Sequence, residues 1–380
     1  MNNFIRFFIL SLPVLLCWNA NSQGFGNFLS RLNYLPESVR QAKVDSFRIS
    51  NKQYPLIESD TIAYFICYTD YKQLAVAGDA TSWRPDLPLI RIPGTNFWYA
   101  KGIYPKDARI EYKFVADGQK WLLDSLNPHI GVGGFGMKSE LIMPGYKMPS
   151  EIIGNNEIPR GTLKDTSFYS KQMSETRKYI LYFPAGYEDS KKDYPVVIFN
   201  DGEDYITYAH IHEILDYMAF DQLPLIGVFV VPVQRDAEYS GKRQKAYTNF
   251  IVKELMPYLD ITYRIKAGPE NHTIAGISNG GNISLWISVN HSEVFGKVIA
   301  QSSNVQNSIL KIFSTKPKIP LKIYLNIGKY DIPALIPMNE KLSYILDHKG
   351  YSFSNHTYPE GHNWGFWSAH TKEAIYYLFR

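Results

Sequence analysis

The chain has 380 residues, 45% of them apolar and 15% aromatic. That is enough for large cores in more than one domain, and it excludes a disordered or low-complexity protein. The net charge is only +4, and no lysine- or arginine-rich block is dense enough to line a nucleic-acid groove.

Residues 1–22 read as a secretory signal peptide. Arg6 precedes an apolar run from Phe7 to Trp18 that is too short to span a bilayer, and Ala20-Asn21-Ser22 offers small residues for cleavage. The expected location is therefore periplasmic or secreted, with no membrane span. Cys17 invites a lipidated reading, but Leu16 stands where a small residue would be needed. After cleavage Cys67, in the strand-like run Thr61–Tyr68, would be the only cysteine, leaving no intrachain disulfide and no cysteine-based metal site.

Residues 23–56 contain one predicted amphipathic helix, around Ser38–Phe47, read as a packing or spacer segment. Residues 57–150 alternate short strands with turn signals at Gly78-Asp79, Pro93-Gly94, Asp117-Gly118 and Pro144-Gly145, which predicts an all-β sandwich of the immunoglobulin-like type. Residues 151–170, rich in glycine, proline and asparagine at the start, are expected to link this module to a second domain over residues 171–380.

The most informative stretch of that second domain is Gly276-Ile277-Ser278-Asn279-Gly280-Gly281. A short strand from His272 precedes it and a helix over Asn282–Val289 follows, so the G-x-S-x-G spacing falls on a strand-to-helix turn. A serine there sits in a strained conformation, and small residues two positions away let neighbouring chain pass close by; Ser278 is the candidate nucleophile. Its hydroxyl needs a base, and in this arrangement an acid and then a histidine follow in sequence. His362 is the one later histidine in a glycine-flanked loop after a strand-like run, Tyr351–Tyr358. Asp331, at the carboxyl end of the period-two strand Leu321–Ile327, is the candidate acid. It could instead cap the next helix near Pro333, and Glu360 is a rival. Two backbone N–H donors should face the oxyanion, one from Asn279 and one from the Gly202-Glu203 region. No H-E-x-x-H or comparable ligand spacing occurs, so neither metal nor cofactor is expected.

From about Arg177 onward the chain resembles the esterase branch of the α/β-hydrolases, which contains enterochelin, feruloyl and acetylxylan esterases. The likeness rests on Arg177-Lys-Tyr-Ile-Leu-Tyr-Phe-Pro-Ala-Gly-Tyr187, Tyr194-Pro-Val-Val-Ile-Phe-Asn-Asp-Gly202, Arg235-Asp-Ala-Glu-Tyr239, Glu254-Leu-Met-Pro-Tyr258, the elbow, His291-Ser-Glu-Val-Phe-Gly296 and Gly361-His-Asn-Trp-Gly-Phe-Trp367. Asn279 and Asn200 depart from residues common in that group. The resemblance implies an α/β fold in which an α/β-hydrolase domain follows the sandwich. It also implies a serine carboxylesterase with Arg235, Glu238 and Tyr239 on a pocket loop. Trp364 and Trp367, two and five residues beyond His362, are close enough that at least one should wall the acyl pocket or clamp the histidine loop, the alternative being that both pack the terminal helix onto the sheet.

The β module is similar to the early-set, glycogen-binding-like sandwiches attached to glycogen-active enzymes, through Val76-Ala-Gly-Asp-Ala-Thr-Ser-Trp83, Leu87-Pro-Leu89, Tyr112–Trp121 and Asn127-Pro128. That likeness places Trp83, Lys113 and Trp121 on sugar-binding positions, or leaves the module as a shape-giving neighbour leaning over the active site. The expected substrate is a small-molecule or polysaccharide-linked ester, feruloyl or acetyl. A catecholate siderophore lactone is the runner-up, and a silent glycan-binding scaffold is the reading from another class.

Overall fold

The computed structural model describes residues 24–152 and 157–380; the expected signal segment 1–22, with Cys17, lies outside the described residues. Among the described residues no helix is long and apolar enough to cross a membrane.

The C-terminal part is built on an eight-stranded sheet. Its order from one edge is Thr162–Ser170, Glu175–Phe183, Ile226–Val230, Val196–Asn200, His272–Ile277, Lys297–Gln301, Lys322–Tyr330 and Ser352–Gly361. The first two are antiparallel to their neighbours and the rest are parallel. Val196–Asn200, Ile226–Val230 and His272–Ile277 are buried at every residue, as a parallel sheet covered on both faces requires. The period of two divides each strand between two cores: Ile198, Val228 and Ile274 pack with the helix Asn279–Asn290, whereas Phe199, Phe229 and Ala275 pack with the terminal helix Trp364–Phe379. The carboxyl ends of the parallel strands thus open on one edge, where sites of such sheets form.

Residues 57–150 form the expected sandwich, its two sheets closing over Phe65, Trp98, Tyr112, Phe114 and Leu141. Two expectations need correction. Residues 23–56 hold two helices rather than one, Phe25–Tyr34 and Glu37–Ser50, and of the two readings of this segment packing is the one seen: Phe25, Leu29, Leu32 and Val44 are buried against Tyr64, Ile66 and Phe97 of the sandwich. Each such side chain contributes roughly 1.5–3 kcal/mol when fully buried, before the entropy of ordering is subtracted. The linker is also shorter than expected, because Thr162–Ser170 pairs over its whole length with Glu175–Phe183. Its sequence, Thr-Leu-Lys-Asp-Thr-Ser-Phe-Tyr-Ser, is polar because it is an edge strand exposed along most of its length, and charges there discourage pairing with other chains.

The two halves share more than a tether. Glu360, at the end of the last hydrolase strand, pairs with Arg109 at the start of the sandwich strand Arg109–Ala116, so one sheet runs into the other.

Candidate active site

Ser278 stands between the strand His272–Ile277 and the helix Asn279–Asn290 with φ 52° and ψ −119°, a conformation rarely adopted by a residue with a side chain. Its backbone is over-determined: its N–H donates to Gln301 O (2.9 Å), and its carbonyl accepts from Asn282 N and Asn304 N (both 3.1 Å). The flanking glycines have a steric cause. A Cβ on Gly276 would overlap the carbonyl of Gly280, and one on Gly280 would lie 2.8 Å from an Asp201 carboxylate oxygen.

Asp331 and His362 come together as neighbouring strand ends. Asp331 follows Lys322–Tyr330, His362 follows Ser352–Gly361, and Asp331 Oδ1 lies 2.7 Å from His362 Nδ1. An ionised carboxylate can only accept, so Nδ1 carries the proton and Nε2 is left as the basic nitrogen. Burial would raise the Asp331 pKa. Hydrogen bonds from His362, Ser302 Oγ (2.6 Å) and Ile332 N (2.7 Å) outweigh it and hold the carboxyl below the usual range. Glu360 is engaged elsewhere, accepting from His370 at 2.7 Å.

Ser302 has no sequence motif and was not anticipated. It sits just past the carboxyl end of Lys297–Gln301 at φ 46°, donates to Asp331, and accepts from Trp367 Nε1 at 2.9 Å. The Trp367 ring meets His362 edge-on, centroids 4.9 Å apart. Trp367 thus supports both acid and imidazole. The available signal was position alone, two serines at a parallel strand's carboxyl end.

A cavity of about 410 Å³ joins these groups, lined by Ser278, His362, Trp364, Trp367, Asp201 and Arg235. Gly202 and Glu203 open the short helix Gly202–Thr207, whose first N–H groups have no partner within the helix; Asn279 likewise opens its own helix. A Cβ on Gly202 would overlap the Phe229 carbonyl, so only glycine fits there. The Glu203 carboxylate turns away to Lys178 (2.7 Å), and the Asn279 side chain is held by Asp236 and Asn304, leaving backbone N–H groups as what these residues can offer.

The pocket loop needs revision. Arg235 lines the cavity, with its Nε and Nη2 donating to Asp201 at 2.7 and 2.8 Å. Glu238 and Tyr239 do not line it. Glu238 is fully buried against Arg177 (2.8 Å to each oxygen), and Tyr239 is fully buried with its hydroxyl accepting from Asp201 N at 2.9 Å. Trp364 is packed by Tyr205 and Tyr208 as well as facing the cavity. The sandwich completes the wall with Glu111, Lys138 and the glycine-rich stretch Val132–Phe135, whose Phe135 is 94% exposed. Beside that wall Trp83 and Trp121 stack, centroids 6.4 Å apart, with Lys138 Nζ 5.8 Å from the Trp83 ring centre, and Lys113 shares the strand face of Glu111 and Val115, the latter pairing with Trp121. Among the described residues no cluster of His, Cys, Asp and Glu could hold a metal ion.

A family model described as "Putative esterase" matches residues 170–376, over half of the chain. The Bacillus subtilis protein YjcH is 29% identical over 224 residues, covering 54% of this chain and 93% of YjcH. Among solved structures, the enterobactin esterase of Shigella flexneri aligns with a TM-score of 0.72 at 18% identity, over 88% of this chain and 98% of its own. A ferulic acid esterase of Anaeromyces mucronatus aligns with a TM-score of 0.52 at 21% identity, over 60% of this chain and 93% of its own. The structural likenesses are of fold; the first extends through the sandwich.

Proposed function

Because the chain belongs to the esterase family of carboxylic ester hydrolases, we propose that Ser278, His362 and Asp331 hydrolyse its ester through an acyl-enzyme. Ser278 Oγ attacks the ester carbonyl carbon while His362 Nε2 takes the hydroxyl proton. The negative oxygen is held by N–H groups of Asn279 and of Gly202 or Glu203. The C–O bond to the alcohol then breaks, and His362 returns the proton to the leaving oxygen. A water molecule, deprotonated by His362, attacks the acyl-enzyme and releases the carboxylic acid and Ser278. Asp331 stays ionised throughout, fixing the tautomer and stabilising the imidazolium. The observation that carries this reading is the 2.7 Å Asp331–His362 bond beside a serine held at positive φ on one cavity wall.

The substrate we infer is a feruloyl or acetyl ester of a polysaccharide. Each cation lining the cavity is matched by a carboxylate, Arg235 by Asp201 and Lys138 by Glu111 at 3.3 Å, which suits a neutral ester better than a polyanion. Phe135, Trp364 and Trp367 supply flat area for a phenolic ring. The siderophore lactone is the second reading, favoured by the whole-length likeness to the enterobactin esterase fold. Trp83, Trp121 and Lys113 would serve as a glycan contact. Export after cleavage near Ser22 is part of the proposal and is checked by N-terminal sequencing of the mature protein.

Turnover on methyl ferulate, acetylated xylan and a ferric catecholate lactone separates the substrates; dominance of the lactone would overturn the polysaccharide assignment. Phe135→Ala should raise KM for methyl ferulate up to about tenfold, the equivalent of roughly 1.4 kcal/mol of lost ring contact. Because Phe135 is so exposed, the melting temperature and the KM for an acetyl ester should stay put; equal changes on both esters would remove it from the acyl site.

A further inference from the structure

The seam between the sandwich and the hydrolase is charged, buried and centred on the segment that carries His362. From the sandwich come Asp79, Arg109 and Glu140, exposed by 3, 6 and 6%; from the hydrolase come Glu360 and Asn363, at 1 and 4%. His362 lies between the last two in sequence. Asn363 Nδ2 donates to Asp79 Oδ2 at 3.0 Å, while Asn363 Oδ1 accepts from Arg109 Nη1 at 3.2 Å and from Phe366 N at 2.9 Å. Asn363 is therefore the cap of the terminal helix and the clasp between the two halves. Arg109 also pairs with Glu140 and, at 3.8 Å, with Glu360.

The glycines on either side of the histidine fit the same picture. A Cβ on Gly361 would overlap the Asp79 carboxyl group, and one on Gly365 would overlap the Arg109 guanidinium. The two sandwich side chains occupy the space those glycines leave. Asp79 is itself fixed by Glu111 N (2.8 Å) and by Trp83 Nε1 (3.1 Å). Neither Asp79 nor Arg109 lines the catalytic cavity. Burying ions in a seam stabilises little compared with apolar packing of the same volume, so a stability role alone gives no reason for these charges. What they add is direction: the Asp79 carboxyl oxygens accept and the Arg109 guanidinium donates along fixed lines, and both lines end on Asn363.

We propose that Asp79 and Arg109 of the sandwich are positioning residues for catalysis, setting His362 through Asn363, so that the sandwich is a working part of the active site. This rests on the reading of His362 as the general base.

The test uses the full-length protein and a small acetyl ester, with turnover expressed per site labelled to completion by a fluorophosphonate. Asp79→Ala should lower kcat on the order of tenfold to a hundredfold, the scale set by a misplacement of about 1 Å, while KM stays within about twofold. The rate of fluorophosphonate labelling should fall in parallel. Asp79→Asn, whose amide oxygen can still accept from Asn363, should recover most of the loss. Should Asp79→Ala fail to fold, Arg109→Lys gives the same readout: it keeps a positive charge for Glu140 and Glu360 but lacks the planar fork that reaches Glu140 and Asn363 together. Wild-type kcat per labelled site, with only a lowered melting temperature, would overturn the proposal and leave the seam as interdomain glue. Absence of labelling at Ser278 in the unmutated protein would instead sink the serine-esterase reading itself, so the two failures are distinguishable.

Discussion

Ser278→Ala is expected to lower kcat on the protein's best ester on the order of a thousand-fold or more, with the melting temperature little changed. The hydroxyl is the only group at the elbow that can form the acyl-enzyme. What remains after its loss is the binding cavity and the backbone donors, which in serine hydrolases leave residual catalysis well above that of water. His362→Ala should fall to a similar level, because the serine hydroxyl is a weak nucleophile without a base. Asp331→Asn should cost comparably by a different route: an amide can donate to Nδ1, which turns the proton onto Nε2 and disables the base. The losses should not add, since the three groups act as one unit. A Ser278→Ala protein with near-full turnover would show that the nucleophile is elsewhere, as would fluorophosphonate labelling at another residue.

Glu238→Ala is expected to be the most damaging change to stability, by about 3–5 kcal/mol in chemical unfolding at neutral pH. The variant leaves the Arg177 guanidinium, fully buried, without the carboxylate that takes both of its terminal nitrogens. Against a total of roughly 5–15 kcal/mol for a typical domain, that is a large share. The pH dependence has a definite sign. Burial raises the Glu238 pKa, but the Arg177 bonds and the N–H groups of Gln234 and Val233 outweigh it and hold the group below its ordinary value. A depressed folded pKa contributes stability that is fully present above the unfolded value of about 4.3 and is lost as pH falls through the folded one. The gap between wild type and Glu238→Ala should therefore be constant near neutrality and narrow below about pH 4. A gap under about 1 kcal/mol at pH 7 would mean that Glu175, which already accepts from Arg177 Nη1 at 2.7 Å, is enough by itself to compensate the buried guanidinium.

How much of this was legible in the sequence follows from how local each feature is. The elbow is contiguous, and its glycines report a clash within a few residues, so Gly276–Gly280 could be read directly. Asp331 could be singled out because it follows the period-two apolar strand Leu321–Ile327, and His362 because it is the one later histidine in a glycine-flanked loop. Glu238 was misplaced because Arg-Asp-Ala-Glu-Tyr looks like a polar surface loop; its partner Arg177 belongs to a strand far upstream, and nothing local signals that both are buried. Ser302 depends on Trp367, another distant contact. The edge strand Thr162–Ser170 escaped for the opposite reason, since exposure strips a strand of the apolar alternation that identifies it.

The junction of the two sheets at Glu360 and Arg109 also bears on when the enzyme becomes active. The last hydrolase strand is made near the end of the chain, whereas the strand it meets is made in the first third. Contacts between such distant segments form late, after the loop between them has been closed against its entropy. The hydrolase sheet can gather its central strands early from neighbours in sequence, but the bonds of Asn363 to Asp79 and Arg109, next to His362, close only when the sandwich docks. If Asp79 and Arg109 set His362 as proposed, a chain caught before that step would be compact and largely ordered yet slow to turn over, so the rise to full hydrolysis would report interdomain assembly rather than the folding of either half.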